Sequence, residues 1–93
     1  MYASIRQYRS TDVPELGRRA QEGFVPIVRE ISGFSTWYLV DSGDGDFVTI
    51  TIAEDEAGVE ESVCKASEWV RENAVDLTEG LPTVTNGEVL AQA

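Results

Sequence analysis

The sequence predicts an α+β domain of ferredoxin-like type, with β-α-β-β-α-β order, a four-stranded antiparallel sheet and both helices on one face. Three observations predict it. An amphipathic helical pattern (VPELGRRAQEGFVPIVREI) runs to Gly33. Two strand-like segments follow it, FSTWYLV and FVTITIA, separated by the Asp/Gly-rich turn DSGDGD. One strand pattern precedes this block, and a second helix and a last strand come after it. Right-handed crossovers then place the first and third strands in the centre and the second and fourth at the edges. With 93 residues the chain is one domain, 1–93.

Tyr2 to Arg9 alternates and reads as the first strand. Asp12 is the predicted N-cap of the first helix, with Glu15 to close a capping box and Pro14 in the first turn, where a missing N–H costs nothing. Val13, Leu16, Ala20, Phe24, Ile27, Val28 and Ile31 recur at helical spacing and define one apolar face. Pro26 lies within this run and predicts a break near Gln21–Gly23. Phe34 to Val40 has strand composition, and the glycines of Asp41 to Asp46 suit a hairpin. Along the third strand Val48, Ile50 and Ile52 share one face, and Phe47, Thr49, Thr51 and Ala53 the other. Glu54-Asp55-Glu56 opens a second helix whose predicted buried stripe is Val59, Val63, Ala66, Val70, Ala74 and Leu77. Gly80-Leu81-Pro82 is expected to end that segment, and Thr83 to Leu90 to form the last strand.

Composition narrows the function classes. Hydrophobic residues at 42% and charged residues at 26% describe a globular chain. A net charge of −10 argues against nucleic acid and anionic membrane surfaces, both of which call for basic patches. The lone Cys64 forms no internal disulfide and fits a reducing compartment, and no long apolar run or basic leader is present, so the expected location is the cytoplasm. Zinc and iron sites draw on Cys and His, of which there are one and none, and no glycine-rich turn opens a helix, so no metal, haem, flavin or nicotinamide cofactor is expected. DSGDGD lacks the ligand spacing of a calcium loop and reads as a turn.

Helices on one face leave the other sheet face bare, with either the Val48/Ile50/Ile52 or the Phe47/Thr49/Thr51 set on it. A partly apolar bare face on a small domain predicts a homodimer, sheet packed on sheet.

The string GFVPIVREISGFSTWYLVDSGDGDFVTITIAEDEAGVEES…WVREN resembles the dimeric α/β-barrel superfamily, most closely small bacterial proteins related to the antibiotic-biosynthesis monooxygenase domain. The resemblance spans nearly the whole chain. It rests on the approach to the second strand through Gly33-Phe34, the third-strand exit into an acidic helix start, and Trp69 late in the second helix. It implies a dimeric barrel and, in some members, cofactor-free oxidation of quinol-like aromatics. Haem-degrading relatives use an Asn on the first strand, a Trp at the end of the third and a His on the second helix. Here those places hold Arg6 and Gln7, then Ala53 and Glu54, and no histidine exists, so haem degradation is not expected.

Trp37, Tyr38 and Trp69 are the candidate substrate-binding residues, and Arg6 and Asn73 the candidate catalytic ones. An indole donor, a phenol and an amide could orient a flat aromatic ligand, with Arg6 or the amide stabilising an oxyanion. Against this, aromatics in small domains mostly pack, and Asn73 falls where a helix frays. A central-strand arginine more often pairs with a carboxylate, here one of seventeen, and that reading is preferred for Arg6; Arg29, in the first-helix run, is a second arginine noted beside it. Cys64 lies one step off the buried stripe and lacks a base, which predicts a partly buried, inert thiol. Arg18 and Arg19 read as a solvated patch balanced by Glu15 and Glu22. Three functions stay open: a cofactor-independent oxygenase of an aromatic compound, a non-catalytic metabolite-binding module, and a structural or stress-associated dimer. An inward-pointing Arg6 or Asn73 beside a cavity between helices and sheet favours the first two, and a filled cleft favours the third.

Overall fold

A computed structural model describes every residue from Met1 to Ala93. The elements are β1 (Tyr2–Ser10), α1 (Val13–Gly23), α2 (Val25–Val28), β2 (Phe34–Gly43), β3 (Asp46–Ala53), α3 (Glu56–Asn73) and β4 (Thr78–Glu88). The antiparallel sheet has the order β2-β3-β1-β4, with β1 and β3 central as the crossover rule requires. No helix is long and apolar enough to cross a membrane.

Local chemistry accounts for the element ends. Asp12 caps α1 by accepting from the Glu15 N–H at 3.2 Å. The expected reciprocal bond does not form: the Asp12 N–H goes to Ser10 Oγ, and the Glu15 carboxylate is taken by Arg18 and Arg19. The helical run breaks at Phe24, where Pro26 has no N–H to continue the ladder, and α2 restarts as a single turn. Asp44 and Gly45, both at positive φ, form the two-residue turn of the β2–β3 hairpin, as a primed hairpin turn requires.

The last strand begins earlier than expected, at Thr78 rather than Thr83. Gly80, Leu81 and Pro82 do not lie between elements but form a bulge within β4, between the pairs Gln7–Thr83 and Arg9–Glu79. An edge strand tolerates Pro82, and Gly80 supplies φ +69°. The bulge turns Leu81 out, leaving it 95% exposed.

The helices cover the β3 face carrying Phe47, Thr49, Thr51 and Ala53. Val13, Leu16, Ala20, Phe24, Val28 and Ile31 bring α1, α2 and the loop after them onto it, while Ile27 stays more than one-third exposed. The buried stripe of α3 is rotated from the expected one: Val59, Ser62, Ala66 and Trp69 are buried, and Val63 and Val70 only half-buried. Trp69 is buried in this stripe and packs against Phe24, ring centroids 5.9 Å apart. Cys64 is exposed, contrary to the partly buried thiol expected, since it lies away from this rotated stripe.

A cationic cavity between the helices and the sheet

Cross-strand register assembles the candidate site. Arg6 on β1 stands opposite Thr49 on β3, which stands opposite Leu39 on β2. One row along, Ser4, Thr51 and Trp37 pair in the same way. All six side chains lie on the helix-covered face, because residues paired across strands share a face. Phe24, Leu16, Ala20, Ala66, Trp69 and Val70 close over these rows from the helices. They leave a cavity of about 30 Å³ lined by Arg6, Tyr8, Thr49, Trp37 and these apolar groups, space on the order of a water molecule. Phe24 holds the two indoles, 5.4 Å from Trp37 and 5.9 Å from Trp69.

Arg6 is the most unusual group in the fold. It is 1% exposed and joins none of the ion pairs, so the carboxylate partner expected from the sequence is not there. Nη1 donates to the Ser62 carbonyl of α3 at 3.1 Å, and Nη2 to Thr51 Oγ1 at 3.0 Å. Nε has no partner within the chain. Burial pushes its pKa below the ordinary arginine value, only partly offset by Tyr8, two residues along the same strand face. Burial also raises the Tyr8 phenol, with Arg6 opposing. Tyr8 is held by stacking on Phe47, centroids 4.8 Å apart. Three further buried polar atoms have no partner within the chain: Ser4 Oγ, Thr49 Oγ1 and Trp37 Nε1. All three belong to the two rows that also carry Arg6. A guanidinium and an indole donate only, and hydroxyls can donate, so unmatched donors lie beneath a cavity whose own lining is almost wholly apolar.

Of the residues singled out in the sequence, Arg6, Trp37 and Trp69 come together here. Tyr38 does not: it lies on the opposite sheet face, 56% exposed. Asn73 does not either. It ends α3 at the surface, its amide bonded back to the Trp69 carbonyl at 3.1 Å and its own carbonyl accepting from Arg19. A shared helical face for positions four apart holds for the Cα trace, but the burial of α3 fades in its last turn. Arg29 is the C-cap of α2, exposed and without an ion pair. It lines a separate outer cleft of about 490 Å³, whose walls share Trp37 and Leu39 with the inner cavity. Thr49, Thr51 and Ser62 were not singled out in the sequence. Their signal was polar character on a strand face and helix stripe that turn out to be buried, which only the pairing of distant strands reveals. No group of three or more His, Cys, Asp or Glu side chains is placed to share a metal ion.

No family model and no curated protein matches the sequence. Solved structures match over nearly its full length. A protein of unknown function from Nitrosomonas europaea superposes with a TM-score of 0.81 at 21% identity, covering 99% of this chain and 91% of that one. A monooxygenase from Streptomyces coelicolor, solved with the ligand nanaomycin D, gives 0.71 at 21% identity over 98% and 92%. A cofactor-independent oxygenase from Streptomyces nogalater gives 0.72 at 11% identity over 98% and 94%. At these identities the likeness is one of fold: the chain has the ferredoxin-like α+β fold of the antibiotic-biosynthesis-monooxygenase-like proteins, as its sequence implied.

Proposed function

We propose that this protein is a cofactor-independent oxygenase of a small aromatic, quinol-like compound, held between the helices and the sheet with its oxygen on Arg6. The observation that carries the reading is the buried guanidinium without a carboxylate. A positive charge beneath an apolar-walled cavity favours the deprotonated form of a phenol or enol placed against it. Such an anion is electron-rich enough to pass an electron to dioxygen directly, the step that otherwise calls for a cofactor. The fold's occurrence in a cofactor-independent oxygenase agrees with this chemistry. A ring is larger than about 30 Å³, so binding requires the walls to move, and Trp37 and Leu39, which line both the cavity and the outer cleft, are the side chains expected to do so. Trp37 and Trp69 are the only tryptophans and both line the cavity, so their fluorescence reports occupancy.

The test is oxygen uptake with a panel of hydroquinones and polycyclic phenols, alongside tryptophan quenching. Uptake that is lost in Arg6→Met supports the oxygenase. Saturable quenching without uptake leaves a ligand-binding module. Neither quenching nor uptake favours the second reading, a structural dimer, which draws on the small volume of the cavity.

The same reading includes a homodimer in the cytoplasm, formed through the sheet face that no helix covers. Ile5, Val48, Ile50, Ile52, Tyr38 and Val40 line that face, and Ile5, Tyr38 and Val40 are 40%, 56% and 46% exposed. Packing a second copy there removes this apolar surface from water. Light scattering at micromolar concentration tests it, and a well-folded monomer rejects it.

A further inference from the structure

We propose that the outer cleft between the first two helices and the edge strand β2 is a binding site for a small aromatic monocarboxylate, its carboxylate on Arg29 and its ring against Trp37 and Phe34. The inference does not rest on the oxygenase reading, since it concerns a cleft outside the inner cavity and a ligand that need not react.

Shape is the first argument. The cleft holds about 490 Å³, within the range of small-molecule sites. One wall is a stripe on the helices: Gly17, Gln21, Val25 and Arg29 recur every four residues across the break at Phe24. The other wall is the unbroken run from Phe34 to Leu39 of β2. Alternate residues of a strand point to opposite faces, so a lining that takes every residue lies along the strand's edge. That edge has no neighbouring strand, and its outward backbone N–H and C=O groups are open to a ligand. Gly17 leaves the space free: a Cβ there would meet nothing within 4 Å.

Charge is the second. Arg29 is the one charged residue in the lining, and no carboxylate stands with it. The chain has seventeen carboxylates, and Arg9, Arg18 and Arg19 each hold at least one, whereas Arg29 forms no ion pair. Lys65 and Arg71 are unpaired as well, but neither lines this cleft. An exposed cation is easily left to water, so the missing partner alone points nowhere; its place beside apolar walls does. A guanidinium takes a carboxylate through two parallel hydrogen bonds.

The apolar walls select the rest of the ligand. Val25, Phe34, Trp37 and Leu39 are half-buried, and all four line the cleft. A flat ring laid on Trp37 and Phe34 removes apolar surface from water and meets aromatic groups with an aromatic group. One cation matches one carboxylate; a dicarboxylate or a phosphate would add uncompensated charge to a chain already at −10. That net charge opposes any anion from afar, but salt screens it beyond about 10 Å, and the Arg29 contact is closer.

The test uses the intact protein, with benzoate as the probe and benzamide as its neutral counterpart, read by nitrogen–proton NMR at fixed ionic strength. Benzoate should shift the amides of Phe34 to Leu39, the Trp37 indole and the Arg29 guanidinium together, and bind about tenfold tighter than benzamide. Arg29→Gln should weaken benzoate about tenfold and leave benzamide unchanged. Gly17→Leu puts a better helix former into the open space, keeps Arg29, and should weaken both ligands by about tenfold or more. Equal affinities for benzoate and benzamide, shifts centred on Lys65 and Arg71 instead, or an Arg29→Gln or Gly17→Leu variant that binds as the wild type does, would each overturn the proposal. Octanoate binding as tightly as benzoate would overturn it too, since the site would then select alkyl chains rather than rings. The two readings fail separately. Oxygen uptake by a protein that ignores benzoate leaves the oxygenase without this site. Benzoate binding by a protein that consumes no oxygen leaves this site without the oxygenase.

Discussion

The two faces of the sheet each carry apolar groups, and they differ in what covers them and in the polar groups set among them. The face under the helices, shut off from water, carries Ser4, Arg6, Thr49 and Thr51, all buried. The face left open carries Ile5, Val48, Ile50 and Ile52, with Tyr38 and Val40 beside them. A fold built only to bury apolar area would not set Arg6 and three hydroxyls among Phe47, Trp37 and Leu39 on the covered face. The polar groups under the helices cost stability unless something pairs with them, which is why the quinol-like ligand proposed above is placed in that layer. The apolar groups on the open face cost solubility unless something covers them, which is why the dimer proposed above is placed on that layer. The difference teaches that a residue's exposure in one chain is an incomplete measure of its role.

The sharpest way to break this comparison is Ile50→Glu. Ile50 sits mid-strand between Ile5 and Tyr38 on the open face. A carboxylate in a dry sheet-on-sheet contact costs several kcal/mol, so the proposed dimer should be weakened by about a thousandfold or more while each chain keeps its circular dichroism spectrum. Sedimentation reads the outcome; an unchanged dimer places the interface elsewhere. Next in size is a pair of substitutions on the closed face. Arg6→Ala removes the charge and leaves a void, with an expected loss of about 2–4 kcal/mol. Arg6→Met fills the same volume without the charge and should be more stable than Arg6→Ala by about 2 kcal/mol, yet lose ligand-dependent tryptophan quenching. Should denaturant titration find the two equally unstable, Arg6 would be structural and the functional reading of this face would fall.

Gly23→Ala sharpens the comparison from the helix side. A Cβ there would stand 2.9 Å from Trp69 Nε1, so the indole must shift toward the cavity. Overpacking costs about 1–3 kcal/mol, and the better helix former returns about 1 kcal/mol. The net loss should be near 1 kcal/mol, with a blue or red shift of tryptophan emission. A stabilised variant with unchanged emission would show Trp69 to be mobile rather than locked.

The smallest effect belongs to the surface. Arg18 and Arg19 hydrogen-bond Glu15 and hold its pKa down at about 2, against an ordinary 4.5. Arg19 also lowers Asp76. A carboxylate with a depressed folded pKa contributes stability above its unfolded pKa and loses it as pH falls through the folded one. The contribution of Glu15 is thus whole above about pH 4.5 and fades toward pH 2. These groups are solvated and screened by salt, so the expected slope is shallow. Glu15→Gln should flatten the acid limb of the melting temperature slightly, and a wild-type slope that ignores salt would contradict the assignment.

Most of the fold was legible because local rules govern it. The Asp12 cap, the break before Pro26 and the Asp44-Gly45 turn each follow from a residue's own backbone preferences. The bulge at Gly80–Pro82 was missed for a related reason: glycine and proline mark an end of structure in isolation, and only an edge strand turns them into part of a ladder. The site was legible in part. Arg6, Trp37 and Trp69 stood out by type, but Tyr38 and Asn73 stood out equally and lie outside the cavity. Period-two alternation sorts Trp37 from Tyr38 into opposite faces without saying which face the helices take.

The sequence by itself determined the element order, the central and edge strands, the amphipathic face of the first helix and the acidity of the surface, because periodicity, capping and chirality act over a few residues at a time. The tertiary structure alone decided which sheet face is covered, how far α3 is rotated about its axis, and that Thr49, Thr51 and Ser62 meet Arg6 where no carboxylate reaches it. Those outcomes depend on pairing β1 with β3 across the 35 residues that lie between them. They also depend on the fit of Phe24 against two indoles. Packing of that kind is a property of distant surfaces brought together, and no local pattern encodes it.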